Sequence, residues 1–363
     1  MKKNKRIVFV ISSLGGGGAE RVISTLANYF ASKKYQVTVV TFYPKKFDWY
    51  QLSKRVKRIV VGQVKINNKF DIIKNYFYKI TQLRKTFIDI NPDIIISFIT
   101  EVNVTTLIAS FGLGIKVIVS ERVDPKMHRE ILLIWKWLRR LTYPLSSYLV
   151  VQTVATARYF SKFFGSKVVV IPNSVALEPP SDADGLTFKK PFVVAMGRLV
   201  DQKGFDLLIE SFSKLANNYP NWNLVIIGEG DKRSKLVRLI SRLGLESRIL
   251  LAGRVKNPQT ILCQADIFVL SSRYEGFPNA LLEAMAYGLP AISFNCPSGP
   301  AEIIRHNFDG ILVPPGNSEK LSLAMDKLMT DKKLREKLGK NAKKITTRFS
   351  VGKVLELWGG LFE

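Results

Sequence analysis

Residues 6–33 read RIVFVISSLGGGGAERVISTLANYFASK. The segment 6–12 is a nearly continuous apolar run rich in β-branched residues, which is typical of a strand buried on both faces of a parallel sheet. Four glycines follow, and apolar residues then recur at helical spacing over 19–33. A strand, a glycine turn and a helix in this order predict the first unit of a doubly wound α/β domain.

The alternation of strands and helices continues along the whole chain. Further strands are predicted at 36–42, 93–98, 116–121, 148–153 and 167–173, and then at 191–199, 223–230, 248–253, 266–272, 290–294 and 310–315. A stretch rich in Pro, Asp and Gly separates the two series at 175–191 and is the best linker candidate. We therefore predict two doubly wound Rossmann-like domains that face each other across a cleft, with a C-terminal helix packing back on the first domain. The predicted bounds are 1–175, 186–345 and, for the helix, 346–363.

The composition excludes several classes of protein. The chain has 363 residues with 47% hydrophobic and 23% charged content, which is typical of globular proteins with more than one core. The two cysteines, Cys263 and Cys296, are too few for a disulfide framework or a four-cysteine zinc site. The basic and then apolar N-terminus resembles a signal peptide, but it runs into a glycine loop and a helix, so we interpret it as a strand. No apolar run reaches the roughly 18 residues needed to span a bilayer.

The net charge of +26 is unevenly distributed along the chain. Residues 1–180 carry 29 Lys and Arg against 10 Asp and Glu, whereas residues 181–363 carry 26 against 19. Such an excess on one half indicates a polyanionic partner, either nucleic acid or anionic lipid. Two predicted helices, 69–87 and 128–141, mix aromatic residues with Lys and Arg, which suits a membrane interface. The alternative is that both helices pack on the sheet and point their charges into water.

The second of these helices provides the candidate membrane residues. An apolar stripe is expected at Ile131, Ile134, Trp135, Leu138 and Leu141. The side chains assigned to the membrane surface are Arg129, Trp135, Lys136, Trp137, Arg139 and Arg140.

Four turns containing glycine follow predicted strands, at 12–21, 196–206, 226–233 and 252–257. Helix N-termini after such turns present free N–H groups to anions. In the second turn, Arg198 and Lys203 add a guanidinium and an ammonium group, which together can neutralise a diphosphate. The first turn is not a dinucleotide fingerprint, because Glu20 or Arg21 occupies the position of the last glycine. A dehydrogenase is therefore disfavoured.

Residues 274–290, YEGFPNALLEAMAYGLP, place two carboxylates around a turn. Glu275 follows a predicted strand, Pro278 suits the first turn of a helix, and Glu283 is expected about two turns into that helix. The segment resembles the E-x7-E segment of the retaining GT-B glycosyltransferases of family 4. The segments GRLVDQKG, GEGD and GGAER resemble other loops of that family in the same order, so the resemblance covers essentially the entire chain.

The resemblance implies roles for individual residues. Arg198 and Lys203 would bind the diphosphate of the donor and stabilise the leaving nucleotide, Glu275 would contact the donor sugar, and Glu283 would hold the ribose hydroxyls. Further donor contacts, mainly through backbone groups, are implied for Gly17, Gly18, Arg254, Val255, Gly276, Phe277, Pro278 and Asn279. Many family members carry a histidine where this chain has Arg122, so Glu121 and Arg122 are assigned to the acceptor side of the cleft and sugar specificity is not transferred.

The resemblance also implies the reaction and its setting. No cofactor or metal is expected, since the nucleotide sugar is a substrate, and neither Asp182 and Asp184 nor His128 and His306 form a ligand set. The segments SERVDP and RRLTYP resemble bacterial enzymes that extend undecaprenyl-diphosphate-linked glycans. The expected activity is transfer of a hexose or N-acetylhexosamine from a UDP-sugar to a lipid-diphosphate-linked glycan, at the cytoplasmic face of the plasma membrane.

Two alternatives to this activity remain open. One is a GT-B transferase that acts on a soluble acceptor or on another lipid. The other is a basic nucleic-acid-binding protein, which the sequence disfavours because it contains no recognisable nucleic-acid-binding module.

Overall fold

The chain folds into two compact units. A computed structural model describes residues 5–62, 69–123, 125, 132–177, 179 and 188–363. Unit 1 comprises Met1–Pro172 and Val354–Glu363, and unit 2 comprises Asn173–Lys353.

The described part of unit 1 contains a seven-stranded parallel sheet. Its strands are β1 (Arg6–Ile11), β2 (Gln36–Thr41), β3 (Val56–Val60), β4 (Ile94–Phe98), β5 (Lys116–Ser120), β6 (Tyr148–Val151) and β7 (Val168–Val170). The order in the sheet is β3-β2-β1-β4-β5-β6-β7, so β1 pairs with both β2 and β4. The sheet grows outwards from β1 in one direction and from β4 in the other, which makes the β1/β4 junction the switch point of the topology.

Helices cover the sheet of unit 1. They are α1 (Gly18–Ser32), α2 (Lys69–Ile90), α3 (Thr100–Ser110), α4 (Leu133–Thr142) and α5 (Val154–Phe164).

Unit 2 repeats the plan with a six-stranded parallel sheet. Its strands are β8 (Phe192–Met196), β9 (Asn223–Ile227), β10 (Ile249–Gly253), β11 (Ile267–Leu270), β12 (Ala291–Phe294) and β13 (Gly310–Val313), in the order β10-β9-β8-β11-β12-β13. The helices are α6 (Phe205–Ser213), α7 (Arg233–Arg242), α8 (Pro258–Leu262), α9 (Asn279–Ala286), α10 (Pro300–Ile303), α11 (Ser318–Thr330), α12 (Lys332–Ala342) and α13 (Ile345–Arg348).

The core of unit 2 lies on both faces of its sheet. Along β8, Val193 and Ala195 belong to one buried cluster, whereas Phe192 and Val194 belong to the other. Because successive side chains of a strand point to opposite faces, a continuous apolar run is required where both faces are covered.

The last helix, α14 (Val351–Gly360), leads into the C-terminus. Within unit 1, Trp358 stacks on Phe98 with ring centroids 5.8 Å apart, and Phe362 lies against Phe30 at 4.7 Å. Among the described residues, none of the helices combines the length and the apolar character needed for a transmembrane span.

The predicted fold class is confirmed, and one strand was missed. All twelve predicted strands exist, with ends shorter by one to four residues. The missed strand, β3, reads VKRIV and pairs with β2 at the edge of the sheet. Its two basic residues break the apolar run that identified the other strands.

Candidate active site

Two of the predicted catalytic loops leave the sheet of unit 2 at its switch point. Strands β8 and β11 are neighbours in the sheet, although β9 and β10 lie between them in the chain. In open parallel sheets, ligands bind outside the carboxyl ends of the strands at such a point, because the two following loops diverge. Arg198 and Lys203 follow β8, and Glu275 follows β11.

Lys203 and Glu275 are in direct contact. Lys203 Nζ lies 2.5 Å from Glu275 Oε1, and Ser272 Oγ donates a hydrogen bond to the same oxygen at 2.6 Å. Only 16% of the lysine side chain and 7% of the glutamate side chain are exposed. Because burial removes both charges from water, loss of either partner leaves an expensive unpaired charge. The structure therefore brings together two of the three predicted catalytic residues.

Hydrogen bonds also join the backbones of the two loops. The Arg273 amide donates to the Gln202 carbonyl at 2.8 Å, and the Gln202 side chain donates to the Tyr274 carbonyl at 3.0 Å. The Ser271 hydroxyl donates to the Lys203 carbonyl at 2.9 Å. These contacts fix the position of Lys203 relative to Glu275 before any substrate binds.

A salt bridge and a glycine complete this junction. The Arg273 guanidinium donates to both carboxylate oxygens of Asp206, at 2.9 and 2.6 Å. Burial alone would raise the pKa of Asp206, but the hydrogen bonds and charge of Arg273 hold it below its ordinary value. Gly204 has φ +61°, and a Cβ there would overlap the Ser271 carbonyl. The close approach of the loops therefore requires glycine.

Arg198, Arg254 and Val255, which were also predicted to contact the donor, lie along the same edge of the sheet. The side chain of Arg198, two residues after β8, is exposed, and the neighbouring Leu199 amide donates to the Glu229 carbonyl at 2.9 Å. Arg254 and Val255 follow β10, the edge strand, which is two strands from β8. At a strand spacing of about 4.8 Å, that separation is roughly 10 Å.

The segment after Glu275 differs in one detail from the prediction. Pro278 has extended backbone angles and caps α9, which begins at Asn279, so Glu283 lies about one turn into the helix and not two. Phe277 is buried against Phe349 with ring centroids 5.6 Å apart, and the Asn279 side chain accepts a hydrogen bond from Asn173 at 2.6 Å. Any donor contact from Phe277 is therefore restricted to its backbone, and Pro278 has no N–H to offer. Gly276 directly follows Glu275.

The loop after β12 also contacts the segment that follows Glu275, although no sequence pattern assigned it to the site. The Ser298 hydroxyl donates to the Gly276 carbonyl at 3.3 Å, and a Cβ on Gly299 would lie 2.6 Å from Pro278 Cδ. Burial, and then the charge of Glu275, raise the pKa of the Cys296 thiol to about 12, so this thiol stays protonated at neutral pH. The turn sequence CPSGP, one residue after a predicted strand, was the available signal.

In unit 1, Glu121 lies in a buried polar network. Its carboxylate accepts hydrogen bonds from Thr100 at 2.9 and 3.1 Å and from the Tyr143 hydroxyl. Burial, followed by the charge of Glu121, raises the pKa of Tyr143 well above its ordinary value. The network lies at the carboxyl ends of β4 and β5.

Arg122 is also buried, at 9% exposure, with its guanidinium 5.4 Å from the Phe98 ring centroid. Burial lowers the pKa of Arg122 to about 9, and the charge of Glu20 opposes that shift. Glu20 lies near the predicted glycine loop, since a Cβ on Gly17 would lie only 2.9 Å from Glu20 Cδ. Gly17 precedes α1, and Gly18 is its first residue.

Two residues assigned to the membrane are buried, which corrects the predicted stripe on α4. Trp135 is 6% exposed and packs against Tyr76 with ring centroids 4.9 Å apart. Arg139 is also 6% exposed, and its guanidinium lies 3.8 Å from Glu121. Neither side chain is available to a membrane surface, because both lie on the buried face of the helix.

The opposite face of α4 is exposed. Trp137 is 63% exposed, Lys136 is half-buried, and Arg140 is exposed beside the ring of Phe163. Arg129 lies outside the described residues. The exposed apolar residues on and beside this helix are Leu132, Leu133, Ile134, Trp137, Leu141 and Leu145.

Two family models together match most of the chain. The Glycosyltransferase Family 4 model matches residues 16–179, and the Glycosyl transferases group 1 model matches residues 181–345. An uncharacterized glycosyltransferase of Methanocaldococcus jannaschii is 30% identical over 75% of this chain and 72% of its own length. This chain is a glycosyltransferase.

Relatives and solved structures refine this assignment. The glycosyltransferase is 29% identical, over 97% of both chains, to the Campylobacter jejuni GalNAc-alpha-(1->4)-GalNAc-alpha-(1->3)-diNAcBac-PP-undecaprenol alpha-1,4-N-acetyl-D-galactosaminyltransferase. Its structure is similar to sucrose-phosphate synthase from Thermosynechococcus elongatus, with a TM-score of 0.86, 17% identity and coverage of 99% of this chain and 98% of that chain. It is also similar to Anabaena HepE in complex with UDP-glucose, with a TM-score of 0.83, 21% identity and coverage of 98% and 99%. At these identities the structures show the fold, which is GT-B.

Within the described residues, no cluster of three or more His, Cys, Asp or Glu side chains could hold a metal ion.

Proposed function

We propose that this glycosyltransferase transfers a hexose or N-acetylhexosamine from a UDP-sugar to a lipid-diphosphate-linked glycan, with retention of the anomeric configuration. The observation that carries the proposal is the buried Lys203–Glu275 pair at the β8/β11 switch point, 2.5 Å between Nζ and Oε1. It combines a cation for a leaving phosphate with a carboxylate for sugar hydroxyls.

The leaving group determines what the site must supply. Cleavage of the bond to a nucleotide sugar develops negative charge on the departing diphosphate, and fixed cations stabilise that charge most in a partly water-excluded site. Lys203 is already held by the loop hydrogen bonds, so little reorganisation is needed when the charge develops. The exposed guanidinium of Arg198 adds a second cation, which can donate two hydrogen bonds to the diphosphate. With two cations in these roles, the proposed reaction requires no metal ion or other cofactor.

The state of Glu275 argues against a covalent route to the proposed retention. One of its oxygens accepts hydrogen bonds from both Lys203 and Ser272, and such a carboxylate is a weak nucleophile. We therefore assign Glu275 to the sugar hydroxyls and to orientation of Lys203, rather than to a covalent intermediate. The acceptor hydroxyl then attacks on the face from which the diphosphate leaves, and a phosphate oxygen takes its proton.

The donor assignment rests on the strand ends of unit 2. A nucleoside diphosphate laid across them would place its phosphates at the β8 and β11 loops and its base near Arg254 and Val255 after β10. Glu283, one turn into α9, would accept hydrogen bonds from the ribose hydroxyls. HepE, which has the same fold, binds UDP-glucose, and this supports a UDP-sugar for our chain.

The acceptor assignment rests on the Campylobacter jejuni relative and on one surface of unit 1. That relative acts on an undecaprenol-diphosphate-linked glycan. In this chain, α2 exposes Ile72, Ile73 and Phe77, and α4 lies beside it through the Tyr76–Trp135 contact.

The two helices form a surface suited to a bilayer interface. Between α4 and α5 is a groove of about 260 Å³, lined in part by Leu133, Trp137, Arg140 and Phe163. Exposed apolar side chains next to Lys and Arg suit an anionic bilayer surface, and the cytoplasmic leaflet carries the negative potential. We therefore propose peripheral binding to the inner face of the plasma membrane, with no nucleic-acid partner.

The donor and the site are tested together with purified full-length protein. UDP-, GDP- and ADP-sugars are incubated with a lipid-linked glycan extract, and transfer is followed by release of the nucleotide. We expect turnover with a UDP-sugar in the presence of a chelator, and α-linked product from an α-linked donor by NMR. Lys203→Ala and Glu275→Ala should each abolish transfer, whereas the exposed Lys320→Ala should not. Full activity in both site variants would refute the assignment.

Membrane binding is tested by flotation with anionic vesicles at physiological salt. Absence of binding would favour the alternative, a GT-B transferase acting on a soluble acceptor.

A further inference from the structure

The loop between β2 and β3 presents a group of exposed aromatic residues. Tyr43, Phe47 and Trp49 are 40%, 51% and 47% exposed. Tyr43 and Phe47 contact each other edge-to-face with ring centroids 6.1 Å apart. A soluble surface seldom concentrates three large aromatic side chains in seven positions without a binding role.

This loop is held in place at Trp49 and at the residue before it. The Trp49 amide donates to the Leu14 carbonyl at 2.8 Å. The preceding residue, Asp48, accepts hydrogen bonds from the Arg58 guanidinium at 3.2 and 3.1 Å, and this salt bridge is largely buried. The indole is therefore presented from a fixed backbone, which lowers the entropic cost of binding a ligand.

Trp49 and Glu20 flank the glycine loop of unit 1. A Cβ on Gly16 would lie 3.9 Å from Trp49 Cγ, and a Cβ on Gly17 would overlap the Glu20 carboxylate. An indole side chain and a carboxylate therefore border two consecutive glycines. These glycines follow β1, which lies beside β4 at the switch point of the sheet.

The chemistry of these groups matches a neutral sugar better than a phosphate. A pyranose has an apolar C–H face that stacks on an aromatic ring and a hydroxyl edge that donates hydrogen bonds. A carboxylate has about four acceptor positions, so Glu20 can accept from hydroxyls in addition to its existing partners. The same carboxylate repels a phosphate placed next to it.

From this arrangement we infer that Trp49, Glu20 and the glycine loop form a subsite for a neutral hexopyranose of the acceptor glycan. Trp49 stacks on the ring, and Glu20 accepts hydrogen bonds from its hydroxyls. The inference rests on the proposed function, because it assigns the acceptor of that reaction.

Saturation-transfer difference NMR on the full-length protein tests the subsite. The probes are the methyl α-glycosides of glucose, galactose, N-acetylglucosamine and N-acetylgalactosamine. We expect at least one glycoside to give a signal with the wild type. The affinity for that glycoside should fall about tenfold in Trp49→Ala and in Glu20→Gln. It should change little in Trp49→Phe, which keeps an aromatic ring. Phe111→Ala is the matched control, since Phe111 is a 65% exposed aromatic residue elsewhere on unit 1.

Three results would overturn the inference. They are the absence of a signal with every glycoside, equal signals in Trp49→Ala and the wild type, and a loss of anionic-vesicle binding in Trp49→Ala with glycoside binding unchanged. The last result would assign the aromatic loop to a membrane. A parallel calorimetric titration with UDP reports on the proposed donor separately, since UDP affinity should be the same in Trp49→Ala and the wild type.

Discussion

The contact between Lys203 and Glu275 predicts a specific pattern of stability changes. Replacement of Lys203 by Met, or of Glu275 by Gln, removes one half of a buried ion pair. The usual cost of that change is about 3–5 kcal/mol, because the remaining charge is left without its partner. Lys203 retains 16% exposure, so water compensates it in part, and we expect about 2–3 kcal/mol for Glu275→Gln.

Lys203→Met and the double variant complete a double-mutant cycle. In Lys203→Met the carboxylate keeps its hydrogen bond from Ser272, and we expect a similar loss of about 2–3 kcal/mol. The double variant leaves no buried charge, so its loss should fall short of the sum by about 2 kcal/mol. All three variants should lack transferase activity.

The measurement must report on unit 2 alone, because a protein of two units need not unfold in one step. Trp222 is the one tryptophan of unit 2 and is 6% exposed in its core. With 5-fluorotryptophan incorporated, the ¹⁹F resonance of Trp222, assigned by Trp222→Phe, follows the unfolding of unit 2 in urea. Strictly additive losses, or transfer activity in either single variant, would refute the role given to this pair.

Three further predictions concern Gly204, the exposed face of α4 and the two cysteines. Gly204→Ala should destabilise unit 2 by at least about 2 kcal/mol in the same assay, because its φ is +61° and a Cβ would overlap the Ser271 carbonyl; a neutral effect would contradict the close loop contact. Trp137→Ser combined with Arg140→Glu should weaken flotation with anionic vesicles at unchanged thermal stability, whereas Trp135→Ser should lower stability. In native protein at pH 8.5, iodoacetamide should modify the exposed Cys263 and spare Cys296, whose pKa is about 12, as measured by peptide mass spectrometry.

Apolar runs predicted every described strand except β3, because strands covered on both faces must be apolar throughout, whereas the edge strand β3 carries two basic residues. The pattern on α4 was misread for the converse reason. Helical periodicity identifies one apolar stripe, but this helix has large apolar residues around most of its circumference. The buried face was decided by the pairing of Arg139 with Glu121, which a sequence pattern does not contain. Trp135 and Arg139 were therefore predicted to lie on the exposed face, whereas both are buried.

In the candidate site, too, the positions of residues were predictable from the sequence, whereas the contacts between them were not. Arg198, Lys203 and Glu275 follow apolar strands, and the resemblance to family 4 singled them out among the polar residues at such positions. The groups that hold them were not identifiable, because Ser272 and the Arg273–Asp206 salt bridge use common residue types at unremarkable spacing. Glu283 lies about one turn into α9, because Pro278 caps the helix and Glu283 comes only four positions after Asn279.

Strand order is what turns these scattered residues into a site. Lys203 and Glu275 are 72 residues apart in the chain, and the segment between them builds β9 and β10 on one side of β8. The chain must then cross to the other side of β8 to form β11, and only this crossing brings the Glu275 loop to the Lys203 loop. The same reversal occurs in unit 1. There β2 and β3 lie on one side of β1, and β4 lies on the other side, next to the strand that the glycine loop follows. Each unit thus brings distant loops together at one strand junction, which is why short motifs along the chain predicted the location of the candidate site better than its internal contacts.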